Sequence, residues 1–165
     1  MNLIKNFSAG FIKLGPIGTA LNFLYGVGNL IFIAMLALVT VLDWVSGIRA
    51  SKIDGTYTSE YGKSGIYRTL VMFLLPVLGN IVDQALSTTF ILYEIEIGMF
   101  FSLITGGLIY HTLMSAAANF ERAGWGKWVP IKVVESVASE IKAKTERSNK
   151  RKEIIYPENK DGEQK

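Results

Sequence analysis

The sequence has no cysteine and a single histidine, His111. The first absence excludes a disulfide framework. Together they leave no cluster of metal ligands, and the chain carries neither a phosphate-binding glycine loop nor a dinucleotide fingerprint. No catalytic constellation is visible. The sequence therefore reads as a protein that is not an enzyme, with no cofactor and no metal. Charge is also scarce, at 19% of the 165 residues. Residues 14–42 and 97–120 contain no Asp, Glu, Lys or Arg, and residues 69–93 contain only Asp83. Helices of a soluble domain carry charge on one face every turn or two, so this pattern excludes an ordinary soluble fold. The same apolar runs exclude a disordered chain.

Half of the residues are hydrophobic and the mean hydropathy is +0.31. Each of the three runs is long enough to cross a bilayer core, about 30 Å thick, for which about 20 apolar residues suffice as a helix. The sequence thus predicts an all-α membrane protein with three transmembrane helices, over residues 16–45, 66–89 and 97–120. Pro76 and Gly79 place a kink in the second. Residues 1–15 form an interfacial segment, with Ile4, Phe7, Phe11 and Leu14 at helical spacing. The first run is too long for a signal-peptide core and lacks a small-residue cleavage triplet, so it reads as a retained span.

Residues 46–65 are expected as a cytoplasmic loop and residues 90–96 as an external turn. Residues 121–147 are expected as an interfacial amphipathic helix, with Val134, Val137, Ala138 and Ile141 as its apolar stripe. Residues 148–165 form a charged, disordered tail. Lys and Arg set the orientation. Arg49, Lys52, Lys63 and Arg68 lie between the first two spans, none lies between the second and third, and eleven follow from Arg122 onward. The N-terminus is expected outside and the C-terminus inside. The pI of about 9.1 does not point to nucleic acid, because its cations flank membrane segments.

Polar residues within the spans are the candidate functional groups. A central Asp costs about 2.5–3.5 kcal/mol on insertion scales, so Asp83 should face protein or water. Asn22, Gly26 and Asn29 share a helix face at i, i+4, i+7. Asn22, Asn29, Asn80 and Asp83 are accordingly expected as a polar seam between the first two helices. It serves either as interhelical glue or as the lining of water in an assembled state. His111 reads as a hydrogen-bonded residue inside the helix bundle, since no second titratable group lies near it on its span. Its depth differs from that of Asp83 by about 12 Å, too much for a direct pair. Gly98, Ser102 and Gly106 form a ridge of small residues, suited to packing within the chain or to oligomerisation. Lys150, Arg151 and Lys152 read as solvated topology determinants rather than as a site for anionic lipid.

Asp43-Trp44-Val45-Ser46-Gly47-Ile48-Arg49-Ala50 resembles the D-x-x-S/T-G-I-x-x-A stretch of the toxin-secretion/phage-lysis family of phage holins. Ser59, Gly62, Gly65 and Arg68 resemble that family's S-x-x-G-x-x-G-x-x-K/R loop, and residues 78–86 its apolar run broken by one Asp. Ser115 and Asn119 are similar to its S-x-x-E-N ending. Two acidic positions of the family pattern are Thr112 and Ala118 here, so no role resting on those carboxylates carries over. The resemblance covers residues 41–132. It makes Asp43, Gly47, Ser59, Gly65 and Arg68 the family's loop motif.

The resemblance implies a holin that oligomerises in the host bacterium's cytoplasmic membrane. Its lesion collapses the membrane potential and releases endolysin, a functional partner with no direct contact implied. The implied partners are the lipid bilayer, further copies of the chain and an antiholin. Two other readings stay open: a holin-like toxin-release channel, and a non-permeabilising membrane partner such as an antiholin or a small complex subunit.

Overall fold

Hydrocarbon offers no water to a backbone N–H or C=O, so an apolar run that enters a membrane must satisfy its own hydrogen bonds as a helix. The computed structural model describes residues 15–90 and 98–157, and among these it is almost wholly helical with no strand. In chain order, α1 is Pro16–Tyr25, α2 is Leu30–Ile53, α3 is Ser59–Phe90 and α4 is Met99–Phe120. A wide turn over Glu121–Trp125 and a 3-10 turn over Gly126–Trp128 lead to α5, Ile131–Ser136, and α6, Ala138–Ile155. Leu30–Ile53, Gly62–Thr88 and Met99–Trp128 are each long and apolar enough to cross a membrane. The chain is an all-α integral membrane protein with three membrane-spanning helices.

The distribution of side chains supports this assignment. Leu38, Val41, Leu70, Leu74, Leu78 and Leu103 are exposed on the long helices, whereas Thr40, Asp43, Asn80, Asp83, Thr105, Thr112, Ser115 and Asn119 are buried. In water that arrangement would waste apolar surface. In lipid it puts the polar groups, the Thr105 hydroxyl excepted, where they find partners and the apolar ones against the acyl chains.

The first span differs from the single helix expected over residues 16–45. It is two helices, because Gly26 and Gly28 both adopt positive φ, 85° and 88°. Only glycine takes that conformation without strain, so the Gly-Val-Gly-Asn sequence ends α1 and starts α2 afresh. The membrane-crossing helix therefore begins at Leu30 and continues to Ile53, eight residues beyond Val45. The loop expected over 46–65 shrinks in the same way. Asp54–Thr58 is the non-helical part, turned at Gly55 with φ 68°, and Ser59, Gly62, Gly65 and Arg68 lie on the first turns of α3.

The helix expected over 121–147 is broken at Gly124, where φ is 74°, and again at Val137. From Ala138 it then runs past residue 148, where disorder was expected, to Ile155. Of the turn expected over 90–96, Phe90 ends α3 instead; residues 91–96, and the ends of the chain over 1–14 and 158–165, lie outside the described residues.

Two compact units are distinguishable. The first comprises the described part of Met1–Thr40 together with Ile66–His111. Its core joins Tyr25, Leu30 and Phe101, with a second cluster of Leu36, Val39, Met72 and Ile109. Phe32 meets Phe101 edge-on at 6.3 Å. Pro76 is fully buried within α3, and Tyr25 Oη donates to the Phe73 carbonyl in the turn that the proline disturbs. The second unit comprises Val41–Gly65 and the described part of Thr112–Lys165. There, Ala117, Ala118 and Val137 form the core with Met114, Val133 and Ile141.

Candidate functional site

In the first unit the buried amides and the carboxylate go to helix ends. The break after Tyr25 leaves the last carbonyls of α1 without intrahelical partners. Asn80 Nδ2 donates to the Leu24 carbonyl at 2.9 Å and to Phe23 at 3.3 Å. Asn29 Nδ2 donates to the Tyr25 carbonyl at 2.9 Å. Both asparagines crowd Gly26: a Cβ there would lie 2.8 Å from Asn29 Nδ2 and 2.8 Å from Asn80 Oδ1. Asn22 is half-buried, and its carbonyl accepts the Gly26 N–H at 2.9 Å.

Asp83 serves a different helix end. Its carboxylate accepts the Phe100 amide at 3.0 Å and the Phe101 amide at 2.8 Å, both in the first turn of α4. That turn carries no acidic residue of its own. A carboxylate at a helix N-terminus satisfies orphan donors and meets the positive end of the helix dipole. One turn earlier on α3, Gly79 makes the approach possible. A Cβ there would lie 3.0 Å from the Phe101 Cα and 3.1 Å from its nitrogen.

Three of the four residues expected as one seam are thus divided between two helix ends: Asn29 and Asn80 at the end of α1, and Asp83 at the start of α4. Asn22 and Asn29 do not share a helix. The Gly-Val-Gly-Asn break was the signal for the first cap; nothing local to Asp83 signals the second.

Gly98, Ser102 and Gly106 are exposed along α4, and a Cβ on either glycine would meet nothing within 4 Å. The ridge is not used for packing within the described chain; Phe101, Thr105 and Ile109 face inward instead. His111 is exposed rather than enclosed in the bundle, two residues from the buried Ile109 and on the other side of the helix.

The second unit holds a polar network that joins two of the sequence motifs. Asp43 Oδ1 accepts from Ser115 Oγ at 2.7 Å and from Asn119 Nδ2 at 2.9 Å. Lys144 on α6 completes the network. Its Nζ donates at 2.8 Å to the Ser115 carbonyl, Ser115 Oγ and Asn119 Oδ1, and lies 3.9 Å from Asp43 Oδ1. One helical turn on, buried Ser148 donates to Asp54 Oδ2 at 2.8 Å and contacts Thr56 Oγ1 at 3.2 Å, while Arg122 pairs with the same carboxylate.

The docked face of α6 therefore follows Val137, Ile141, Lys144 and Ser148, at alternating spacings of four and three. Of the stripe expected from apolar residues alone, Val137 and Ile141 belong to it, whereas Ala138 is exposed. Lys144 and Ser148 were missed because a polar residue facing inward has no hydropathy signal. Within the motif over 43–50, Gly47 is buried and Arg49 stacks on Trp125, its guanidinium carbon 4.7 Å from the ring centroid. Among the described residues no group of three His, Asp or Glu side chains is placed to hold a metal ion.

An uncharacterized protein of Halalkalibacterium halodurans is 24% identical over 123 residues, covering 74% of this chain and 86% of its own. No solved structure matches. The model of a bacteriophage holin family matches residues 19–140, a stretch that includes all three membrane-crossing helices and reaches into α6. On that match the chain belongs to the bacteriophage holin family.

Proposed function

We propose that this protein is a lysis holin. It accumulates in the cytoplasmic membrane of the host bacterium, N-terminus outside and C-terminus inside, and assembles with further copies into a lesion. The lesion collapses the membrane potential and lets an endolysin reach the peptidoglycan. The observation that carries this reading is the holin-family match laid over three apolar helices that bury polar residues among their contacts.

Those polar positions suit a chain with a closed and an assembled state. In lipid, Asn29, Asn80 and Asp83 must find partners within the protein, and they do so at helix ends. In a water-filled lesion, water replaces those partners at little cost, so opening along this polar region is tolerated only in the assembly. Asn22, Asn29, Asn80 and Asp83 are the proposed lining. The exposed ridge of Gly98, Ser102 and Gly106 is the proposed contact with a neighbouring copy, where small residues allow close helix approach.

The test is to induce the protein in a bacterium beside an endolysin that lacks its own export signal, while following membrane potential. A delayed, abrupt collapse followed by lysis is the expected result. A steady potential despite membrane-inserted protein would overturn the reading in favour of a non-permeabilising membrane partner.

A further inference from the structure

Near the C-terminal end of α2, an open cleft of 640 Å³ is lined by Val45, Ile48, Arg49, Lys52, Ile53 and Trp125. We propose that it binds an anionic phospholipid of the surrounding leaflet, with acyl chain against Val45, Ile48 and Trp125 and phosphate at Arg49 and Lys52.

The argument begins with spacing. Val45, Ile48, Arg49 and Lys52 stand at i, i+3, i+4 and i+7, so they share one face of α2. Along that face the residue type changes from apolar to cationic over about 10 Å, at 1.5 Å per residue. A phospholipid at a bilayer surface shows the same change, from acyl chain to phosphate. The face also lies at the right depth, since α2 is a membrane-crossing helix and Arg49 is its first cation.

The cations are available. Arg49 Nε donates to the Ala123 carbonyl at 3.1 Å and the guanidinium stacks on Trp125, which orients the group without neutralising it. Lys52 Nζ lies over the Tyr57 ring, 5.6 Å from its centroid. Among the described residues neither forms an ion pair: Asp54 pairs with Arg122, Asp43 with Lys144, and Glu140 with Arg147. Two cations over an apolar floor, with no carboxylate partner, complement a lipid phosphate. Val45, Ile48 and Ile53 are all exposed, as residues in contact with lipid would be. This site needs membrane insertion but not lesion formation, so it stands or falls separately from the lysis reading.

The test uses Trp125 as the reporter. Trp44→Phe and Trp128→Phe in the full chain leave it as the only tryptophan of three. The protein is reconstituted in vesicles of phosphatidylcholine and phosphatidylglycerol, with one or the other brominated on its acyl chains at equal mole fraction. Stronger quenching by the brominated phosphatidylglycerol is expected, reflecting a local enrichment of about fivefold per cation. Lys52→Gln, which removes only the contact with Tyr57, should reduce the excess, and Arg49→Gln with Lys52→Gln should abolish it. Arg49→Lys should retain most of it.

Equal quenching by the two lipids in the parent protein would overturn the proposal without reference to any variant. So would an undiminished preference in Lys52→Gln, which would assign it to cations elsewhere. Loss of the preference in millimolar inorganic phosphate would show a free-anion site instead, and would also overturn it.

Discussion

Asp83 and Phe101 are 18 positions apart, yet the Asp83 carboxylate accepts the Phe101 amide at 2.8 Å and so caps a helix to which it does not belong. The neighbouring Phe100 amide makes a second bond to the same carboxylate. An acidic residue within a membrane-crossing segment is thereby matched to the positive end of a helix whose first turn carries no acidic residue of its own. Five consequences of this and the related contacts can be measured.

Asp83→Leu should destabilise the chain by about 1–3 kcal/mol for each amide left without a partner. Asp83→Asn keeps one acceptor and should cost about 1 kcal/mol, within the range for loss of a helix cap. Reversible unfolding in mixed detergent micelles gives the order: parent, then Asn, then Leu. Equal stability of the Leu variant and the parent would refute the cap.

Gly79→Ala should also destabilise, by about 1–3 kcal/mol, because the added methyl presses on the Phe101 backbone at 3.0 Å. The same unfolding measurement on Gly106→Ala should show little change, since nothing lies within 4 Å of that Cβ. The contrast separates packing inside the chain from packing between chains.

Gly106→Leu addresses the ridge. Monomer stability in detergent should stay close to the parent value, whereas chemical crosslinking in membranes should show fewer or smaller oligomers. Unaltered oligomer size would count against the ridge as an interface.

Lys144→Met should loosen α6, because it leaves Ser115, Asn119 and Asp43 without the ammonium they share. A cost of about 1–3 kcal/mol is expected for unsatisfied groups of this kind. Limited proteolysis of inside-out vesicles should cut faster after Lys142 and Arg147 than in the parent. An unchanged cutting rate would mean that Lys144 does not hold the helix.

Glu140→Gln supplies the comparison. Its pair with Arg147 at 3.2 Å is exposed, and such pairs contribute about 0–1 kcal/mol. The same proteolysis assay should scarcely change, and acceleration matching that of Lys144→Met would argue against a specific role for the lysine.

Much of this protein follows from local sequence. Runs without charge are a property of consecutive residues, and a run that must satisfy its backbone in lipid becomes a helix whatever its neighbours are. The three membrane-crossing helices, and the succession of motifs from Asp43 to Asn119 that resembles a holin, were therefore legible before any contact was known. The partners of the polar residues were not. Gly26 and Gly28 could have signalled a break, but a small residue in an apolar run serves equally well for helix packing, and only the backbone angles separate the two. Asn80 reaches α1 across 56 residues, Ser115 reaches Asp43 across 72, and Lys144 turns inward on a helix whose other lysines face outward. Hydropathy records whether a side chain prefers water. Where water is absent, the tertiary fold decides which backbone or side-chain group takes its place.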